Sequence, residues 1–339
     1  IGIDSHKASL AAASVDDVRR VLASKEFRND EAGHVALLAW ARTQGTHRVI
    51  GVEGSGTYGA GIVRYLAAAG EDIREVPAFL SHRERRTRPA KGKSDVADAV
   101  AIARVVARGE GLGSPVRCEV FQDLKMLVDQ RDHLVHARPP LINRTHKDLV
   151  ISHPGYQDRI PKLNSKPNQS AALALLRKDR SVRAGLIRDR VGDIRRLEAK
   201  IARVEEMIEA KLPASGTTLT ELVGIGPVLA AKILGEVGDP SRLRSKAAFA
   251  MWSGTAPLEA SSGMTKRHRL NRGGNRQLNY ALYMMALARL RTAETQAYMA
   301  RQKAEGKSSR EVMRNLKRHL ANIVYRRLVA DFKRFGQAA

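Results

Sequence analysis

Four acidic residues in the first hundred positions have the types and spacing of a carboxylate metal site. Asp4 and Glu53 each end a short apolar run. Asp95 and Asp98 are three positions apart, which places them on one face of a helix. Carboxylates gathered in one place repel one another unless cations neutralise them, and oxygen ligands suit Mg²⁺ or Mn²⁺. The sequence therefore predicts a site for such ions, two of which could hold the entering and leaving oxygens of a phosphoryl transfer.

The segments that carry these acids are expected to form an α/β fold. Apolar patterns predict strands at 1–4, 10–15, 21–27, 48–53 and 72–76, and helices at 31–43 and 58–69. Such an order, opening with an antiparallel meander, is the one that a ribonuclease-H-like fold requires. In that sheet the first and fourth strands are parallel neighbours, so their carboxyl ends bring Asp4 and Glu53 together. The acids also have structural alternatives, since Asp4 could simply end a strand, Asp95 could support a helix N-terminus and Asp98 could be a solvated surface acid.

A basic stretch lies directly before the second pair of acids. Residues 81–93 contain a single acid, Glu84, and are predicted to be a loop that holds a nucleic-acid backbone beside the acids. Its basic residues are Arg83, Arg85, Arg86, Arg88, Lys91 and Lys93. A helix is predicted to follow from Ser94 to about Arg108, with both acids of the pair in its first turn.

A candidate nucleophile lies in the second half of the chain. Ser261 and Ser262 precede a glycine and a basic stretch, and a serine hydroxyl there could attack a phosphate held by the cations. The stretch contains Lys266, Arg267, His268, Arg269, Arg272 and Arg276. Its histidine could act as a base or only touch phosphate, and Ser-Ser-Gly is also common in flexible loops. Tyr280 and Tyr283 are rival nucleophiles, although their apolar helical surroundings favour core packing.

Helical patterns fill the middle of the chain. A helix begins near Glu119, and Pro139-Pro140 is expected to kink or break it. Residues 154–170 are predicted to be a linker or loop. Residues 181–212 predict an amphipathic helix with a heptad-like apolar seam, which could pair with another subunit or pack on the helix at 119–150.

A compact helical region is expected from Thr217 onward. Residues 222–233 predict a helix–hairpin–helix, in which Gly224 and Gly226 let backbone N–H groups approach a phosphate. A tight helix–helix turn, which also needs glycine, is the alternative. These patterns divide the chain into a metal-binding domain at 1–118, a helical segment at 119–212 and a helical domain at 213–339.

The charge of the whole chain favours a polyanionic partner. Its 339 residues include 59 basic and 35 acidic ones, which gives a formal net charge of +24. Self-repulsion of this size destabilises a compact fold, so we expect the protein to bind nucleic acid. The single cysteine, Cys118, excludes an internal disulfide and a cysteine zinc site. Neither a signal peptide nor an apolar run of about 18 residues is seen, so we expect a cytoplasmic protein without a membrane span.

Six short motifs occur in order along nearly the whole chain. They are Gly2-Ile3-Asp4-x-x-Lys7, Val52-Glu53-x-x-Gly56, Lys93-Ser94-Asp95-x-x-Asp98-Ala99, Gly254-Thr255-Ala256-Pro257, Ser261-Ser262-Gly263 and Arg272-Gly273-Gly274-Asn275-Arg276-x-Leu278. Singly these motifs are weak, but together they are specific. The set resembles the DEDD transposases of the one-ten family of bacterial insertion sequences, which includes the Piv-type DNA invertases.

The resemblance implies a RuvC-like N-terminal domain, a helical coiled-coil segment and a mainly helical C-terminal transposase domain. It implies that Asp4, Glu53, Asp95 and Asp98 bind the metal, and that a serine before a glycine, best matched by Ser262, is the nucleophile. It also implies double-stranded donor and target DNA, a noncoding bridge RNA as guide, and a homo-oligomer, dimer or tetramer, with composite active sites. The proline pair is a departure, because it interrupts what should be a long helix.

Two other functions stay open from the sequence. A metal-only, RuvC-like structure-specific endonuclease would cut DNA with the acids and form no covalent bond to it. A non-catalytic nucleic-acid-binding protein would keep its function when Asp4 or Glu53 is replaced by alanine. A covalent protein–DNA adduct separates the transposase from both.

Overall fold

A computed structural model describes residues 1–87, 94–109, 111–113, 115, 119–240, 243–260 and 268–338 of the chain. The chain divides into two compact units. The first comprises Ile1–Gln122 with Gly238–Arg244, and the second comprises Asp123–Val237 with Ser245–Ala339. Among the described residues, no helix has a stretch both long and apolar enough to cross a bilayer.

A five-stranded sheet forms the centre of the first unit. Its strands are β1 (Gly2–Ser5), β2 (Ser9–Val15), β3 (Val21–Arg28), β4 (Val49–Val52) and β5 (Asp72–Glu75). The spatial order is β3-β2-β1-β4-β5, in which the first three strands are antiparallel and β1–β4 and β4–β5 are parallel. The predicted meander, and the predicted parallel pairing of the first and fourth strands, are confirmed.

Four helices cover this sheet and extend from it. They are α1 (Glu31–Thr43), α2 (Ala60–Ala68), α3 (Ala78–Thr87) and α4 (Asp95–Arg108). Side chains cap two of them, since Asp30 accepts from the Gly33 amide and Ser94 accepts from the Ala97 amide. Helix α4 lies so close to β1 that a Cβ on Gly2 would fall 2.2 Å from the Ala103 nitrogen. This contact fixes the middle of α4 against the strand that carries Asp4.

The described part of the basic stretch before the acids is helical, so its prediction as a loop is wrong. Leu80 of α3 packs with Ile102 and Val106 of α4. One turn further along α3, buried Glu84 forms an ion pair with Arg108. The sequence of this helix lacks an apolar helical pattern, because its buried face consists of one leucine, one serine and one paired acid. The predicted cations Arg88, Lys91 and Lys93 lie outside the described residues.

The second unit is mainly helical. Its helices are most of α5 (Glu119–Ser152), then α6 (Lys166–Leu175), α7 (Val182–Lys211), α8 (Pro227–Val237), α9 (Lys246–Trp252), α10 (Arg276–Arg289), α11 (Ala293–Ala304) and α12 (Ser309–Ala338). Two short strands, β6 (Leu258–Glu259) and β7 (His268–Arg269), pair antiparallel. The α9 and α10 regions pack on α12 around Phe249, which is fully buried and contacts the Tyr325 ring.

Helices α5 and α7 run antiparallel and are joined by ion pairs along their length. These pairs are Asp123–Lys211, Arg131–Glu205, Arg138–Glu198 and Asp148–Arg190. On α7 the seam residues Ile187, Val191 and Ile194 are fully buried within the chain. The seam therefore packs inside the subunit, which is the second of the two alternatives for it.

Of the two effects predicted for Pro139-Pro140, a kink or a break, the break does not occur, because α5 continues through both prolines. Each proline lacks an N–H donor and so removes a helical hydrogen bond. Both are exposed, and ion pairs to α7 lie on either side of them, at Arg138 and Asp148. We infer that pairing with α7 holds the helix together across the prolines.

Of the two forms predicted for 154–170, the structure has a packed loop up to Ser165 and not a free linker, and α6 begins at Lys166. Tyr156, Ile160 and Leu163 are buried against Leu149 of α5 and Val191 of α7. The segment contains a 3₁₀ turn and the start of α6. Its prolines and glycine mark turns, but its three apolar side chains close the far end of the α5–α7 pair.

The glycine turn before α8 differs from the predicted hairpin between two helices. Only a three-residue 3₁₀ turn, Leu219–Glu221, precedes it. Gly224 has a φ of +92°, and a Cβ there would lie 2.9 Å from the Met285 carbonyl oxygen of α10. A tight turn packed on α10 therefore accounts for Gly224. Gly226 has open space around it at the start of α8, and its predicted phosphate contact stays a prediction.

Candidate functional site

Asp4 and Glu53 lie side by side because their strands are parallel neighbours. The register pairs Ile3 with Val52, and the Glu53 amide donates to the Ile3 carbonyl at 3.1 Å. The Ser5 hydroxyl also donates to the Glu53 carbonyl at 2.8 Å. Asp4 is in β1, and Glu53 directly follows β4. The sequence-based placement of these two acids is thus confirmed in the backbone.

The second pair of acids lies in the first turn of α4. His6 connects this turn to β1, since its Nε2 lies 3.2 Å from Asp4 Oδ2 and 3.3 Å from Asp95 Oδ1. Asp4, His6 and Asp95 each offer one ligand atom, and these atoms lie within 4.8 Å of one another. Sequence analysis missed His6, although its position two residues after Asp4 was a usable signal.

The pKa of Asp4 responds to the charges of the other three acids, so the four acids form one electrostatic group. Burial raises the pKa of the Asp4 carboxyl above its ordinary value. The charge of His6 lowers this pKa, whereas the charges of Asp98, Glu53 and Asp95 raise it. Asp4 is thus a largely buried carboxylate close to three other acids, and a bound cation would offset their mutual repulsion. The oxygen-rich donor set, with one imidazole, therefore fits a divalent cation.

Helix α3 positions two of the acids. The Ser81 hydroxyl donates to Glu53 Oε2 at 2.6 Å, and Arg85 forms an ion pair with Asp98. Ser81 and Arg85 are four residues apart, so they share a face of the helix. The Arg85 guanidinium is thus paired with Asp98, and its predicted contact with nucleic acid stays a prediction. Arg83 and Arg86 are exposed and keep their predicted role as nucleic-acid contacts.

The candidate nucleophile lies between the strands β6 and β7. Ser261, Ser262, Lys266 and Arg267 are outside the described residues, so the structure gives no position for the predicted serine. The flanking strands pair in register, Leu258 with Arg269 and Glu259 with His268. The remaining predicted cations Arg269, Arg272 and Arg276 are exposed.

The glycines after β7 serve close packing of this hairpin on the turn that follows α9. A Cβ on Gly274 would lie 2.3 Å from the Gly254 nitrogen. Gly254 has a φ of +67°, a conformation that favours glycine. The Asn275 amide donates to the Trp252 carbonyl at 2.6 Å, and Asn271 Nδ2 donates to the Met251 carbonyl at 2.9 Å. The Gly-Gly-Asn motif is thus a docking element, and Asn275 also caps α10.

Tyr280 and Tyr283 are not core residues, which corrects that expectation. Tyr280 is 52% exposed and Tyr283 is 39% exposed. Each ring lies near a lysine, with Lys232 Nζ 5.6 Å from the first centroid and Lys317 Nζ 5.9 Å from the second. The apolar face of α10 instead consists of Leu278, Ala281, Leu282, Met285 and Ala286.

Two family models match the chain, and both describe transposases. A DEDD transposase model of the IS110 group matches residues 1–154, which contain the four acids. A second model, described as "Transposase IS116/IS110/IS902 family", matches residues 216–301, which contain the hairpin.

Relatives of the chain carry related descriptions. It is 27% identical over 185 residues to a "probable family 20 transposase" of Pseudomonas aeruginosa, and the match covers 52% of each chain. It is 25% identical to the "insertion element IS116 uncharacterized 44.8 kDa protein" of Streptomyces clavuligerus, over 96% of this chain and 93% of the relative. It is 23% identical to the "pilin gene-inverting protein" of Moraxella bovis, over 96% and 94% respectively.

Proposed function

Because this chain belongs to the IS116/IS110/IS902 family of transposases, we propose that it cleaves and rejoins DNA at a metal centre formed by Asp4, Glu53, Asp95 and Asp98. The observation that carries the proposal is the convergence of these acids at the carboxyl ends of β1 and β4 and the first turn of α4. The order of the five strands supports a ribonuclease-H-like, RuvC-like domain. The three-part division at 118 and 212 belongs to the same proposal.

Each residue of the centre has a distinct proposed role. The four carboxylates would hold Mg²⁺ or Mn²⁺, in our proposal two ions, and His6 is placed to join or orient them. When bound, the ions supply Lewis acidity at the attacking and leaving oxygens. Ser81 fixes the Glu53 carboxylate by its hydrogen bond, and Arg85 holds Asp98 until a cation replaces it. Exposed Arg83 and Arg86 would bind the DNA backbone nearby.

We propose Ser262 as the nucleophile, with Ser261 as the alternative. The serine oxygen would form a bond to phosphorus, the phosphodiester bond to one DNA strand end would break, and that strand end would leave as a hydroxyl. The phosphoserine ester conserves the energy of the broken bond, so a second DNA hydroxyl can displace the serine and reseal the strand. Its place in the sequence between β6 and β7, ahead of the exposed Arg269, supports this role.

A guide RNA and a homo-oligomer complete the proposal. The formal charge of +24 supports binding to nucleic acid in general, and the resemblance adds a guide RNA beside the DNA. The inversion function in the name of the Moraxella bovis relative supports donor and target DNA as substrates. Because the α7 seam is buried within the chain, a dimer or tetramer would use other surfaces.

The test is a denaturing gel of the protein with donor DNA, target DNA, the element's flanking RNA and Mg²⁺. We expect a covalent protein–DNA adduct in the wild type that disappears in Ser262→Ala and persists in Ser261→Ala. Asp4→Asn should also lose the adduct while RNA binding remains. Cleaved DNA without an adduct would instead establish the metal-only endonuclease, and Ser262 would return to being an ordinary loop residue.

A further inference from the structure

A basic cleft of about 380 Å³ lies in the second unit, between the base of the β6–β7 hairpin and helix α12. Its described lining includes five basic side chains and one acid. The basic residues are Arg269, Lys307, Arg314, Lys317 and Arg318. The acid is Glu311, whose Oε2 accepts hydrogen bonds from the Ser308 amide and hydroxyl at the start of α12. The cleft therefore carries a large excess of positive charge.

Lys317 is the buried cation of this cleft. It is only 7% exposed, and its Nζ donates to Asn279 Oδ1 at 2.8 Å. Within the described part of the chain it forms no ion pair with a carboxylate. Burial, followed by the charge of Arg314, lowers the pKa of Lys317. A buried ammonium without a counter-charge destabilises the folded protein, so its retention needs a reason.

The neighbours of Lys317 on α12 add to this cost. Arg314 lies three residues before Lys317 and four before Arg318, so its side chain neighbours both of the others on the helix surface. Arg318 bonds to the neutral Asn322 side chain. Lys307, by contrast, already donates to Glu305 at 2.8 Å. Like charges this close repel one another, and an anion held among them removes the repulsion.

Asn279 sets the position of the ammonium. Its Nδ2 donates to the carbonyls of Ser253 and Gly254, both at 3.0 Å, which turns Oδ1 toward Lys317. The same turn packs against Gly274 at the hairpin base. Lys317 is thus held by the framework that carries β6 and β7, and it is not a mobile surface side chain.

We propose that this cleft binds a phosphodiester group of nucleic acid, with Lys317 as its buried cation and Arg314 and Arg318 as its outer ones. An ammonium supplies a point charge, and guanidinium groups supply paired donors that match phosphate oxygens. The identity of the occupant rests on the proposed nucleic-acid substrates. His268 and Arg269 of β7 line the same cleft, so the bound phosphate would lie at the base of the hairpin that carries the candidate serines.

The test uses Lys317→Met in the full chain, with EDTA present so that no metal-dependent step takes place. Thermal unfolding without nucleic acid should give a Tm equal to or above that of the wild type, because an unpaired buried charge is removed. Fluorescence anisotropy with a labelled DNA duplex and a labelled single-stranded RNA should show about tenfold weaker binding to one of them. The slope of log affinity against log salt should fall by about 1 for that ligand.

The matched control is Lys303→Met, an exposed lysine of the neighbouring helix α11. It should leave both Tm and affinity near wild type. Loss with DNA alone assigns the phosphate to the DNA, loss with RNA alone assigns it to the RNA, and either supports the proposal. A lowered Tm with affinities equal to those of the control would make Lys317 a structural residue and overturn it.

A second variant keeps the proposal testable if Lys317→Met does not fold. Arg314→Gln removes an outer cation without touching Asn279, and we expect the same loss of binding to DNA or RNA. Stabilisation of the wild type by ~10 mM inorganic phosphate, about a hundred times a Kd of roughly 0.1 mM, with nucleic-acid affinity unchanged in both variants, would show a free-phosphate site and overturn the nucleic-acid assignment. The adduct gel is read independently, so failure of the serine chemistry would not be confused with failure of this cleft.

Discussion

At the scale of single residues, the acidic centre contains a buried carboxyl, Asp4, that destabilises the metal-free protein. Other side chains hold the neighbouring acids in place. Asp4 is largely buried, with 13% of its side chain exposed, and three other acids raise its pKa after burial does. Ser81 and Arg85 hold two of those acids, Glu53 and Asp98. Such preorganisation lowers the cost of binding a cation, and it makes the metal-free protein less stable than its packing would allow.

Replacing Asp4 should therefore separate stability from metal binding. A raised pKa means that the folded protein holds the proton more tightly than the unfolded chain, so metal-free stability falls as pH rises above the ordinary aspartate pKa. We expect Asp4→Asn to raise Tm in EDTA at pH 7.5 by about 4 °C, as roughly 1 kcal/mol would in a unit of this size. The variant should lose the Tm increase that Mg²⁺ gives the wild type.

Thermal unfolding across pH checks this prediction. The Tm increase caused by Asp4→Asn should become smaller as pH falls toward the ordinary aspartate pKa, because the wild-type Asp4 carboxyl then becomes protonated in both the folded and the unfolded protein. Asp17→Asn, at an exposed acid in the same unit, is the control and should change neither Tm nor the response to Mg²⁺. If Asp4→Asn still gains the full Mg²⁺ stabilisation, the acids do not form the cation site.

At the scale of elements, the docking of the hairpin depends on one glycine. Gly274 and Gly273 are adjacent, but only the first faces backbone: a Cβ on Gly274 would lie 2.3 Å from the Gly254 nitrogen, whereas a Cβ on Gly273 would lie 3.5 Å from the Asn271 side chain. Gly274→Ala should cost about 1–3 kcal/mol, the usual range for overpacking. It should also abolish the adduct while metal binding in the first unit remains.

Gly273→Ala is the matched control for this prediction, and it should unfold and react nearly as the wild type does. Chemical denaturation with two probes, one for each unit, gives the stabilities, and the adduct gel gives the activity. Equal effects of the two substitutions would mean that the hairpin is not docked through Gly274.

The sequence predicts some of these elements and hides others for physical reasons. Helix α1 was predicted from its apolar helical spacing, and β2 and β4 from their continuous apolar, buried runs. Helix α3 was missed because its buried face includes Ser81 and Glu84, which are polar and pair with Glu53 and Arg108, residues far along the chain. The same cause hid the roles of Ser81 and Arg85, whereas Asp4 and Glu53 were placed by strand order alone.

At the scale of the whole molecule, the exposed arginines in and after β7 should contribute more to nucleic-acid binding than an equal charge elsewhere. Replacing Arg269, Arg272 and Arg276 with glutamine should lower the slope of log affinity against log salt by up to about 3, since each phosphate contact contributes roughly 0.9. Anisotropy with labelled duplex DNA between 50 and 200 mM salt, roughly the range over which such slopes are resolved, measures this.

A triple variant with the same change of charge provides the comparison. Arg177, Lys178 and Arg180 are exposed near the far end of the α5–α7 pair, and glutamine at these positions should leave the salt slope almost unchanged. Equal slopes for the two triple variants would show that net charge alone drives binding and that the region after β7 is not a specific contact.

The antiparallel α5–α7 pair has a consequence for how the chain tolerates change. Asp123 and Lys211 form an ion pair at one end, so the chain leaves and returns at the same place after an excursion of about 45 Å along each helix. The packed tip, with Tyr156 and Leu163, therefore lies at the end of a helical pair whose length can change while its two attached chain ends stay in place. Insertions or deletions at this tip should leave the positions of the two attached chain ends unchanged. A fluorescent label at an exposed residue such as Lys178 should be tolerated for the same reason.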